Sequence, residues 1–143
     1  MAWSLLITPP RSVDAIFDGK PPALSALRLL ETRSRPTEAG ENVALLLEWP
    51  VLPACAPPKW RAKGHKALQL LLTLHASTKI EKNGVFSGLP VSIELSPGLL
   101  AMKQDDGSAS MTFNLVSVSA KFRPYGGDSL HEGIHFPAFR DDA

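Results

Sequence analysis

From Val91 to Phe122 the chain alternates apolar and polar residues almost without a break. Val91, Ile93 and Leu95 take turns with Ser92, Glu94 and Ser96, the period-two mark of a strand with one buried and one solvated face. Leu99 to Lys103 predicts a short partner strand. Met111, Phe113 and Leu115 then alternate with Ser110, Thr112 and Asn114, and the phase slips by one at Leu115-Val116. Val118, Ala120 and Phe122 carry the apolar face onward against Ser117, Ser119, Lys121 and Arg123. A one-residue slip without Gly or Pro predicts a bulge, or the passage of one strand between two sheet layers.

Earlier in the chain, Leu68, Leu70, Leu72 and Leu74 share one face, with Gln69, Leu71, Thr73 and His75 on the other. Val43 to Trp49 is apolar on both faces and predicts a central strand. Leu24 to Arg35 starts apolar and turns polar, as in a strand that leaves the core as it proceeds, and it should put Leu27 and Leu29 on the same side as Glu31 and Arg33. Pro36 to Asn42 is a turn by composition and makes a hairpin of these two strands. Thr78 to Lys82 either continues the third strand or pairs back, with Asn83-Gly84 as a turn signal. Pro97-Gly98 and Gln104 to Ser108 are further turns. At the start, Trp3, Leu5 and Ile7 form a weak strand-like alternation. Ser12 to Phe17 predicts one or two helical turns, capped by Ser12 and ended by Gly19. Trp3, Ile16 and Phe17 read as a lid over one end of the core or as a binding surface.

The expected architecture is mainly β (a β-rich α+β chain). Its antiparallel sheet curls into a sandwich or partial barrel and carries one short N-terminal helix. Residues 1–123 read as one β-rich domain and 124–143 as a C-terminal tail that docks or does not. Length fits one self-sufficient core, with 44% hydrophobic and 20% charged residues over 143 positions. Net charge is +1, from 15 basic and 14 acidic residues. That balance leaves no footprint for nucleic acid or an anionic membrane surface. Cys55 is the only cysteine, which rules out an intrachain disulfide. The opening apolar run is too short for a signal peptide and no stretch reaches a bilayer span, so a cytoplasmic protein is expected.

The candidate chemistry is sparse. His131-Glu132-Gly133-Ile134-His135 has the letters of a zinc-hydrolase helix, in which two histidines one turn apart bind the metal and the glutamate activates its water. Gly133 inside the would-be helix, Pro137 after it and the lack of a patterned third ligand argue against that use, so no cofactor is expected. Cys55 would need His65 or His75 close in space to act as a nucleophile. Glu31, Glu48 and Glu94 occur singly on different strands. The expectation is a protein without catalytic activity. The alternatives are a zinc-dependent hydrolase using His131, Glu132 and His135, and a small-ligand β domain with the leucine-lined interior as pocket.

One long irregular stretch, Pro50 to Lys66, separates the second and third strands, and its prolines should exclude helix through Lys59. Trp60 reads as its anchor to the body, with Gly64 at the following turn, while Lys59, Arg61, Lys63 and Lys66 form a local basic strip. The run Pro57-Pro58-Lys59-Trp60-Arg61-Ala62-Lys63-Gly64, continued through Leu68 and Leu70, resembles the immunity protein 50 family of bacterial polymorphic-toxin systems. Trp3, Pro21-Pro22-Ala23-Leu24, the strand pair at 24–49 and the sheet-forming runs to Phe122 extend the resemblance over residues 3–123. It implies an intracellular inhibitor that covers a cognate toxin and has no catalytic residues of its own. The basic strip is the candidate contact with the toxin's carboxylates.

Overall fold

The computed structural model describes residues 3–9, 11–77 and 80–125. The strands are β1 (Arg28–Thr37), β2 (Gly40–Trp49), β3 (Ala67–Ala76), β4 (Glu81–Asn83), β5 (Val91–Ser96), β6 (Leu99–Gln104) and β7 (Ser110–Tyr125). They form one antiparallel sheet in the order β1-β2-β3-β7-β6-β5, with β4 also paired to β7. β7 is the hinge of this arrangement. Its second half pairs with β3 and its first half with β6 and β4. At the crossing, His75 faces Ser117 while Ala76 faces Leu115, so Val116 is an extra residue and stands 62% exposed. The slip expected at Leu115-Val116 is both a bulge and a change of partners.

The curl brings the two ends of the sheet together along one short contact. Leu27 and Val91 exchange backbone hydrogen bonds of 3.1 and 2.7 Å, and the Ile93 amide donates to the Leu24 carbonyl at 2.8 Å. Beyond that contact the sheet stays open, a partial barrel that does not close. Its interior holds Val43, Leu45, Leu47 and Trp49 of β2, Leu68 to Leu74 at alternate positions of β3, and Phe113 and Val118 of β7. Leu45, Leu47, Leu68 and Leu70 are fully buried, each contributing about 1.5–3 kcal/mol of transfer free energy. The sheet's outer face carries a second, smaller cluster of Ala44, Leu46 and Leu71. Beside it, buried Glu48 is paired with Arg28 on the neighbouring strand.

Several expectations need correction. Trp3–Leu6 is a 3-10 turn rather than a strand. Its anchoring comes from the Trp3 indole, which donates to the Pro22 carbonyl at 2.9 Å. The predicted helix is present as α1 (Ser12–Phe17), but Ser12 does not cap it. Arg11 occupies the cap position with φ 66°, and the Ser12 hydroxyl has no partner among the described residues. Burial of Val13 and Phe17 holds α1 instead. The first hairpin turn is only Glu38-Ala39, because Pro36 sits on an edge strand, where a missing N–H costs little. Gly40 has φ 143°, and a Cβ there would meet the Ala76 carbonyl oxygen, so this corner needs glycine.

In β1, Leu29 faces Leu47 and Glu31 faces Leu46, which makes Leu30 a bulge. The bulge places Glu31 and Arg33 on the outer face, opposite to the side expected, and spares the core a carboxylate. A short helix, α2 (Pro58–Ala62), forms where the prolines were expected to forbid one. Pro58 is its first residue, where the absent N–H would have no helical acceptor anyway. Finally, β7 runs two residues past the expected boundary at 123, and Tyr125 is buried.

Candidate functional site: a braced basic helix and an open seam

α2 carries Lys59 and Arg61 of the predicted basic strip, Lys63 and Lys66 follow it, and the structure divides these residues by task. Trp60 is half-buried and meets Phe17 edge to face at 5.8 Å. Phe17 in turn meets Phe122 at 5.0 Å, and Phe122 stacks on Trp49 at 6.3 Å. The loop is thereby pinned to α1, β2 and β7 by one aromatic chain. Gly64 follows the helix with φ 82°, and its amide donates to the Arg61 carbonyl at 3.0 Å, the left-handed exit that glycine takes without strain. Arg61 turns back on its own loop, its guanidinium donating to the carbonyls of Pro53 at 2.8 Å and Leu52 at 3.4 Å. Arg61 is thus a brace of the loop. Lys59, Lys63 and Lys66 stand exposed and make no ion pair among the described residues. The Lys66 backbone joins the loop to the sheet through Leu52 and Tyr125.

A second surface had no signal in the sequence. Where the barrel fails to close, a groove runs along β1 in two lobes. One, of about 250 Å³, lies between Leu29–Thr32 and the segment 85–91. The other, of about 290 Å³, continues past Arg33 and Ser34 to Ile80. Thr32, Lys82 and Met111 line both lobes. Leu30, Val85 and Leu89 are 36%, 77% and 44% exposed.

The far wall of this groove is held by Gln104, a fully buried polar residue at the end of β6. Its side-chain oxygen accepts from the Ser87 amide at 2.9 Å, and its nitrogen donates to Ser108 at 2.7 Å and Asp106 at 3.1 Å. Asp106 also accepts from the Ser108 amide and hydroxyl, and these bonds, led by the hydroxyl, hold its carboxyl below the usual value. Gly84 adds a close contact, since a Cβ there would meet the Ser108 carbonyl oxygen. Reading the sequence found the turn at 104–108 but not the inward aim of Gln104, because alternation says nothing about a polar residue at a strand's end.

Other candidates are not brought together. Cys55 packs against the interior cluster. His75 lies on the outer face, 2.7 Å from Asn42 across β2 and β3. Glu48 is committed to Arg28 and Glu31 to Arg33 at 3.5 Å. The leucines of the interior are buried in one cluster, and the two lobes described above lie at the seam. Among the described residues no cluster of three metal-ligating side chains forms. His131, Glu132 and His135, with the rest of 126–143, lie outside the described residues. No helix among the described residues is long and apolar enough to cross a membrane. In comparisons with protein-family models, curated proteins and solved structures, nothing matches this chain.

Proposed function

We propose that this protein is an immunity-type inhibitor, which binds a cognate bacterial toxin in the cytoplasm and blocks it by occlusion, without catalysis. The observation that carries the reading is the construction of α2. The segment behind the family resemblance is a rigid knob, with Trp60 and Arg61 spent on bracing and Lys59, Lys63 and Lys66 left to solvent. A surface fixed before binding loses little conformational freedom when a partner covers it. Three closely spaced cations would steer and orient an acidic patch on the toxin.

Co-expression with the polypeptide encoded beside this chain tests the proposal. Growth should be rescued, and the two proteins should co-purify as a stoichiometric complex. Lys59→Glu with Lys63→Glu should weaken that complex by about tenfold or more, mainly through the association rate. A folded protein that neither rescues growth nor binds its neighbour's product would refute the reading.

A further inference from the structure

We propose that the groove at the open seam receives an extended segment of another protein. The segment adds as a strand to the free edge of β1, with apolar side chains at alternate positions and a carboxylate set against Lys82. Among the described residues, β1 pairs with β2 on one side only, apart from the lone Leu27–Val91 bridge just before it. A strand edge of this kind offers a row of backbone donors and acceptors, the basis of recognition by strand addition. The usable edge has defined ends: the bulge at Leu30 closes one and Pro36, which has no N–H, closes the other.

The groove's lining fits such a segment better than a compact ligand. Leu29 to Ser34 spans about 20 Å at strand rise, and the space beside it is split into two shallow lobes. The lobes, at about 250 and 290 Å³, sit at the lower end of the range of about 300–1,000 Å³ usual for small-molecule sites. Leu30, Val85 and Leu89 offer apolar contact at one end, suited to the alternate residues of a strand. Glu31 and Arg33 pair with each other. Lys82, which lines both lobes, has no ion-pair partner among the described residues. That leaves the groove one cation to be matched by its occupant. For a second copy of this chain, a β1-to-β1 pair centred on Ser34 would set Arg33 against Arg35, whereas one centred on Thr32 would set Glu31 against Arg33. The opposite wall is already set by the Gln104 bonds to Ser87 and Ser108, so little ordering is left to do on binding. This proposal concerns a different surface from α2 and does not depend on the toxin reading.

The test is panning of the full chain against a phage-displayed decapeptide library, followed by synthesis of the enriched peptides. Enriched sequences should alternate apolar residues and carry Asp or Glu. Bound peptide should slow amide exchange within residues 31–35 by about tenfold or more. N-methylation of the peptide at one alternating set of positions should abolish binding. Lys82→Glu should weaken the acidic peptides by about tenfold and strengthen versions in which Lys replaces the acid. The proposal fails if no peptide is enriched, or if the protected amides lie elsewhere. It also fails if N-methylation at neither set weakens binding, or if the chain pairs with itself through β1 instead.

Discussion

The wall made of β2, β3 and the second half of β7 and the seam beside β1 are built from the same kind of backbone, yet they differ in completeness. In the wall, β2 and β3 each have a partner strand on both sides, and their inward leucines are 0–1% exposed. At the seam, β1 carries the same hairpin register but turns Thr32 and Ser34 inward after the Leu30 bulge. Small hydroxyl residues at those positions leave room where the wall has leucine. One region therefore stores the stability and the other stays accessible, as expected when binding surfaces are drawn from the parts of a fold that contribute least to its core.

The same substitution placed in both regions sharpens that contrast. Leu70→Ala should cost about 3–4 kcal/mol, read as a fall in the urea midpoint, because it empties a site enclosed on all sides. Arg28→Met comes next. It strips the partner from Glu48, whose carboxylate is 2% exposed, and should cost about 3 kcal/mol by the same assay. Arg28 itself is 55% exposed, which keeps this loss at the low end for broken buried pairs. Gln104→Leu should cost about 2 kcal/mol through the unpaired Ser87 amide, and faster hydrogen exchange at that amide would mark a loosened groove wall.

A smaller effect follows from acid. The Asp106 carboxyl is held below its ordinary value of 3.8, so its charged form is favoured by folding. The contribution is present at neutral pH and fades as pH falls below that value. Asp106→Asn should flatten this part of the acid-unfolding curve. Leu30→Ala should change stability by less than about 1 kcal/mol. A loss at Leu30 as large as that at Leu70 would break the distinction between wall and seam.

Much of the sheet was legible because alternation is a local property. The inward leucines of β3 declare one face with no knowledge of their partners, and the slip at Leu115-Val116 marks the bulge in β7. The bulge in β1 was invisible, since Leu29-Leu30 reads equally well as plain alternation. Only its pairing with Leu47 and Leu46 shows the extra residue. The strip at 59–66 was visible as charge, but its division into Arg61 as brace and three lysines as surface depends on where the Leu52 and Pro53 carbonyls lie.

Taken alone, the amino-acid order determined that this chain would be an antiparallel β body with a proline-punctuated basic excursion, because side-chain period and turn chemistry act over a few residues. Whether the sheet would close was decided in three dimensions. Among the described residues the two ends of the sheet meet only around Leu27 and Val91, and the groove exists because bulges and strand lengths summed around the curl leave β1 without a second neighbour. That sum is a property of the whole path, and no local pattern encodes it.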